Sequence, residues 1–191
     1  MIILDKDVNY IVSGLERSGT SMLMQMLEAG GVPTSFNNDS RPSDDSNPKG
    51  YFELEGGKII NKLMEGTFPF DRYKGKFIKI TAYGLKFLPA GEYKVIYSER
   101  NIEQILNSME KMARIHDENR EETRESFLKL NEMIKDKMRG REDIKVLMVN
   151  YNDILSDPEN NIRKIYDFLG SQAFAMEKMI KSVDQSLYRN R

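Results

Sequence analysis

Gly14 and Gly19 bracket the four residues Leu15-Glu16-Arg17-Ser18, and two hydroxyl residues, Thr20 and Ser21, follow directly. Glycines at both ends let backbone N–H groups face inward without Cβ interference, and a helix starting near Gly19 aims its positive end at the same space. Arg17 adds a permanent cation able to fork two oxygens, and Ser18, Thr20 and Ser21 add three hydroxyls. The chemistry this suits is the holding of a phosphate-like group, so the loop predicts a bound nucleotide. An ordinary strand-to-helix turn is the plainer alternative, but such a turn requires neither the arginine nor the hydroxyls. The ATPase form of this loop, G-x-x-x-x-G-K-[ST], needs lysine where this chain has Thr20, which argues against ordinary ATP chemistry.

A second pairing joins Arg100, where an apolar run ends and a helical pattern begins, to Ser108 two turns on. A guanidinium and a hydroxyl so spaced could share one anion, although alone the pair reads equally well as solvated surface. The chain has no cysteine and one histidine, His116, which removes disulfides, thiolate nucleophiles, cysteine metal sites and multi-histidine sites. His116 sits in a charge-rich helical stretch and is expected to face solvent.

These residues need elements to position them, and the pattern supplies an alternation of strands and helices. Strands are expected over Val8–Ser13, Phe77–Thr81, Tyr93–Ser98 and Ile144–Val149. Helices are expected from about Gly19 to Ala29, in the second half of Tyr51–Glu65, and over Asn101–Ala113, Glu118–Met138, Pro158–Leu169 and Phe174–Val183. Apolar stripes mark the helices: Met22, Leu23, Met26 and Leu27 in the first, and Phe127, Leu130, Ile134 and Met138 in the fourth. Between them, Pro33 to Gly50 holds four Ser, three Asn, three Asp and three Pro, and reads as a mobile polar loop or lid. The expected fold is α/β: one P-loop domain over residues 1–191, a three-layer sandwich with a parallel sheet flanked by helices.

Composition sets the bounds. With 191 residues, 29 basic against 30 acidic side chains and 39% hydrophobic residues, the chain suits one globular domain without a global field for nucleic acid or membrane. No window approaches a membrane span, and the acidic start, Met1 to Asp7, lacks a leader pattern, so a cytoplasmic protein is expected.

Four segments, in order, resemble the PAPS-dependent sulfotransferases, which use 3′-phosphoadenosine 5′-phosphosulfate. Ser13 to Ser21 is similar to the family's 5′-phosphosulfate loop, in the bacterial and tyrosylprotein form where arginine replaces lysine. Lys79-Ile80-Thr81 through Leu88-Pro89 resembles the strand and turn carrying the Lys-Thr-His motif of cytosolic members. Ile96 to Arg100, through Ser108, resembles the 3′-phosphate motif. Val149 to Leu155, with Asp157-Pro158-Glu159 and Phe168-Leu169-Gly170, resembles the Tyr-Glu-Asp-Leu, Asp-Pro and Phe-Leu-Gly run. Together they span Ile11 to Gly170.

The resemblance implies transfer of a sulfonate from PAPS, leaving PAP, to a hydroxyl or amine of a small-molecule or glycan acceptor. It implies that Arg17 stabilises the moving sulfonate, that Ser18, Gly19, Thr20 and Ser21 hold the 5′-phosphate, that Arg100 and Ser108 hold the 3′-phosphate, and that Tyr151 touches the nucleotide. Sulfonate transfer asks for alignment and charge stabilisation, so no metal is expected. The strand ends agree, with Thr81, Ser98 and Asn150 where a Walker-B aspartate would stand.

The chain departs from the pattern in several places. The cytosolic members' catalytic histidine falls on Thr81, and Glu53, at the end of Asn47-Pro48-Lys49-Gly50-Tyr51-Phe52-Glu53, is the candidate base. Glu53 reads equally as a helix N-terminal residue, with Glu55 as a lesser substitute. Lys79 could share the leaving-group charge or be a solvated edge lysine. The adenine-stacking tryptophan falls on Met22, which reads as core, and the later Arg-Lys-Gly motif is missing; in the basic tail that ends in Arg191, Arg189 is the candidate substitute cation, with a frayed terminus as the plainer reading. Two other functions stay open: a P-loop nucleotide kinase or NTPase, and a non-catalytic nucleotide-binding protein.

Overall fold

The computed structural model describes residues 4–37, 43, 50–170 and 175–183. Four strands, β1 (Asn9–Gly14), β2 (Phe77–Lys79), β3 (Tyr93–Glu99) and β4 (Ile144–Asn150), form one parallel sheet in the order β2-β1-β3-β4. All six residues of β1 are buried, because a central parallel strand is covered on both faces. Alternate side chains go to opposite faces: Tyr10 and Val12 enter one core cluster, Ile11 the other.

Helices cover each face. On the Tyr10 side lie α1 (Thr20–Ala29), α5 (Tyr151–Ser156), α6 (Pro158–Leu169) and α7 (Met176–Ser182). On the Ile11 side lie α2 (Ile59–Met64), α3 (Ile102–Ala113) and α4 (Arg120–Arg139). Leu23, Met26 and Leu27 of the expected α1 stripe have no exposed surface, nor has Met24, while Met22 is only partly buried. Each such side chain contributes about 1.5–3 kcal/mol when fully buried.

Most boundaries fall within two residues of the sequence expectation, and α6 matches it. Asp157 caps α6 by accepting the Asn160 amide, Pro158 takes the first turn, and Gly170 ends the helix in the left-handed region at φ 63°. The fourth helix also packs as expected, with Ile134 and Met138 buried and Phe127 and Leu130 packed against the same cluster.

The helix expected in the second half of Tyr51–Glu65 forms as α2, and the first half is irregular: Phe52, Glu55, Gly56 and Gly57 all have positive φ, and only a single 3₁₀ turn forms before Ile59. Two differences have physical causes. The six-residue helix α5, too short for periodicity to reveal, is started by Asn150, whose side chain accepts the amides of Asn152 and Asp153. Strand β3 runs one residue beyond Ser98, to Glu99, and that carboxylate pairs with Lys135 of α4. Of the polar loop, residues 38–42 and 44–49 lie outside the described residues, as do Arg189 and Arg191. No described helix is long and apolar enough to cross a membrane.

The topology decides where a ligand can sit. From β1 the chain moves outward to β2 on one side, whereas β3 and β4 lie on the other, so the strand order reverses between β1 and β3. The crevice at the carboxyl ends of those two strands is the ligand position of open parallel sheets, and the register Gly14–Ser98 places the glycine loop over it.

Candidate active site

The loop between β1 and α1 is built to a tight plan. A Cβ on Gly14 would fall 2.4 Å from Ser18 Oγ and 2.5 Å from the Ser98 carbonyl, and one on Gly19 would fall 2.3 Å from Tyr151 Cδ2. Both positions also have positive φ, so only glycine fits without strain. Arg17 adopts the left-handed region at φ 64°, a conformation costing roughly 1–3 kcal/mol for a residue with a side chain. No side chain caps α1 and its first turn carries no acid, which leaves the helix positive end facing the crevice.

Ser18 sits differently from its expected role. Its hydroxyl is fully buried beneath the loop without a hydrogen-bond partner, its amide donates to the Leu15 carbonyl (3.2 Å), and its carbonyl accepts from Ser98 Oγ (2.7 Å). It shapes the loop from below; its hydroxyl does not line the cradle. Thr20 and Ser21 begin α1 at the cradle, as expected.

On the β3 side the two sequence constellations meet. Arg17 Nε donates to Ser108 Oγ at 2.9 Å, across 91 residues of chain. Arg100 donates from one terminal nitrogen to the Arg17 carbonyl (3.0 Å) and from Nε to Gln104 Oε1 (3.1 Å). Its guanidinium lies over the Tyr151 ring at 4.3 Å, while the same ring abuts Gly19. Tyr151 is thus wedged between the loop and Arg100, and such a stack over an aromatic face is worth about 0.5–2 kcal/mol. Sequence reading missed Gln104 and Ser98 as parts of this site, although Gln104 lies four residues after Arg100, one helical turn away.

On the β2 side, Lys79 is buried at the strand end. Its Nζ donates to the Tyr51 carbonyl (2.7 Å), to Glu53 Oε1 (3.1 Å) and to Ser21 Oγ (3.2 Å), and Ser21 Oγ in turn donates to Tyr51 O (3.3 Å). The Lys79 and Glu53 side chains are 7% and 12% exposed, so this ion pair is largely withdrawn from water. The solvated-edge reading of Lys79 fails for that reason, and Glu53 faces the loop through Lys79. Glu55 turns elsewhere, to Lys62 at 2.6 Å on the surface.

Next to Glu53 and Lys79 opens a recess lined also by Gly57, Ile59, Ile60, Leu63, Ile80 and Thr81. The remaining sequence candidates fall outside this assembly. His116 is 83% exposed beside Glu110, and Met22 packs against the core. Among the described residues no cluster of three His, Cys, Asp or Glu side chains is arranged to hold a metal ion. Asn150 and Glu99, at the strand ends nearest the loop, are engaged with α5 and Lys135.

A glycine loop over a sheet crevice, with arginines converging from one side and a lysine–glutamate pair from the other, defines a P-loop protein equipped to move an anionic group. Residues 7–191 match the sulfotransferase domain family, and the chain belongs to it; its reaction class is sulfonate transfer.

The fold is shared with the sulfotransferase domain of the Synechococcus PCC 7002 olefin synthase, at 15% identity over 96% of this chain and 86% of that one, with a TM-score of 0.61. It is shared with mouse sulfotransferase SULT7A1 in complex with PAP (18% identity, 98% and 67% coverage, TM-score 0.57). Sulfotransferase STF9 from Mycobacterium avium is similar at 12% identity, 95% and 68% coverage and a TM-score of 0.56. No protein of curated function matches the sequence.

Proposed function

We propose that this chain, acting as one domain over residues 1–191, transfers the sulfonate of PAPS to a hydroxyl or amine of a small-molecule or glycan acceptor and releases PAP. A cytoplasmic setting and a bacterial-type lineage, both read from the sequence, complete the proposal. The observation that carries it is the Arg17–Ser108 contact of 2.9 Å, which joins the phosphate loop to the Arg100 cluster at one crevice. A nucleotide phosphorylated at both ends needs two anion sites on one surface, and a contact that joins the loop to the Arg100 cluster supports that reading.

The residues fit such a donor. Backbone amides at the uncapped start of α1, with Gly19, Thr20 and Ser21, hold the 5′-phosphate, and the absence of a Cβ at Gly19 makes room for the Tyr151 ring beside them. Arg100 and Ser108 hold the 3′-phosphate. Tyr151 sets the distance between the two sites by filling the space between Gly19 and Arg100. The donor supplies an activated sulfonate; the chain supplies alignment and charge. Arg17 neutralises charge that grows on the sulfonate and on the departing phosphate oxygen, and Lys79, bonded to Ser21 of the loop, supports the same oxygen. Glu53 accepts the acceptor's proton, since Thr81, at the position of the cytosolic histidine, has no basic group at neutral pH.

The test compares PAP, ADP and ATP, each with and without Mg²⁺, by thermal shift, followed by transfer from PAPS to a panel of acceptors. Stabilisation by PAP without Mg²⁺, together with turnover, is the expected result. Preference for ATP with Mg²⁺ would return the kinase reading, and PAP binding without turnover the non-catalytic one.

A further inference from the structure

We infer that, within the acceptor range proposed above, the site selects a slim alcohol on an apolar stem, such as a primary aliphatic alcohol, over an amine or a sugar. The inference rests on the sulfotransferase reading above and concerns the recess beside Glu53. Four of its eight lining residues are Ile59, Ile60, Leu63 and Ile80; its polar members, Glu53, Lys79 and Thr81, gather at the β2 end. The recess is narrow, about 20 Å³. That admits one water-sized group.

Glycine at position 57 controls this entry. Its φ is +82°, and a Cβ there would fall 3.0 Å from Glu53 Oε2 and crowd the carboxylate at the recess. A hydroxyl entering past Gly57 therefore meets Glu53, with Lys79 linking it to Ser21 of the phosphate loop.

Among the described residues, the wall behind that hydroxyl is hydrocarbon. Ile60 is half-buried at the recess, and Met64, one helical turn further along the same face of α2, is 53% exposed. This apolar track suits methylenes. A sugar ring would press its other hydroxyls against isoleucine, where they would lose water without gaining partners. In the reaction the alcohol oxygen forms a bond to sulfur as the bond from sulfur to the 5′-phosphate oxygen breaks. The electron pair leaves with PAP, the alcohol proton passes to Glu53, and the product is an alkyl sulfate.

The experiment measures kcat/KM of the full chain with PAPS and, as acceptors, 1-propanol, 1-hexanol, glycerol and D-glucose, following PAP release. The expected result is a rise of roughly tenfold or more from 1-propanol to 1-hexanol, with the polyols poorer than either. Ile60→Asn and the surface change Met64→Glu should each lower the 1-hexanol value, by roughly tenfold and a few-fold, while stabilisation by PAP stays at the parent level. Glucose or glycerol matching 1-hexanol, no dependence on chain length, or variants with parent-like values would overturn the inference while leaving PAP binding intact. Absence of PAP stabilisation in the parent would overturn the donor reading itself, and this one with it.

Discussion

The two flanks of the phosphate loop are made differently. On the β3 side, Arg17, Arg100, Ser108 and Tyr151 stand at strand–helix junctions or on a helix, each fixed by a regular element whose caps and packing are set elsewhere. On the β2 side, Glu53 stands in an irregular segment with positive φ at Phe52, Glu55, Gly56 and Gly57. That segment is tied down by the Asn37 amide on the Glu53 carbonyl (2.9 Å), by Phe36 edge-on to Phe52, and by Lys79. The β3 flank thus inherits its geometry from the sheet, whereas the β2 flank depends on contacts made by a loop. On the function proposed above, the first is the donor flank and the second the acceptor flank.

The comparison is broken most severely at the residue both flanks need. Arg17→Ala should lower kcat by about 10³-fold, because an electrostatic stabiliser of the transition state is lost, with a smaller effect on PAP affinity. Single-turnover transfer beside PAP titration checks it; a loss confined to affinity would move Arg17 out of the chemistry. Glu53→Gln tests the acceptor flank alone. It should cost about 10²-fold in kcat with PAP affinity unchanged, and undiminished turnover would remove Glu53 as the base.

The donor flank responds in the opposite sense. Arg100→Ala should weaken PAP by about 30-fold, equivalent to about 2 kcal/mol for a lost charge-assisted contact, measured by calorimetry. Parent-like affinity would mean that the 3′-phosphate lies elsewhere. Tyr151 sharpens the point at lower amplitude: Tyr151→Leu should cost PAP affinity a few-fold through the lost stack under Arg100, and Tyr151→Phe should retain it. Equal losses in both variants would assign the effect to the phenolic hydroxyl.

Legibility in the sequence followed the same division. The glycine loop and the boundaries of α6 could be read because each rests on local chemistry: a φ only glycine tolerates, a cap, a proline at a first turn. The burial of Lys79 could not, since whether an edge-strand lysine faces water depends on Tyr51 and Ser21, 28 and 58 residues away. A helix is expected only in the second half of Tyr51–Glu65; how the first half, with Glu53, is held depends on tertiary contacts to Phe36, Asn37 and Lys79 that spacing does not reveal. Ser18 shows a third limit: spacing placed it in the loop, but only the packing under Gly14 decides which way its hydroxyl points.

The opposite end of the sheet supplies the smallest predicted effect and a control for all the others. There Arg141 donates from Nε to Asp143 Oδ1 (2.9 Å) and from a terminal nitrogen to the Leu88 carbonyl (2.7 Å), while the Gly91 amide donates to Asp143 Oδ2 (3.0 Å). Arg141 first, and the Gly91 amide second, hold the Asp143 carboxyl well below the usual carboxylate range. A depressed folded value means that the unfolded chain binds the proton more readily. The contribution is therefore present above the unfolded value of about 3.9 and is lost as pH falls from there through the folded value. The melting temperature of the parent should decline through that acid window, and Asp143→Asn should flatten the decline while leaving PAP affinity and kcat at pH 7 unchanged. A change in either constant would mean that the two ends of the sheet are coupled, and that the independence assumed for the flanks does not hold.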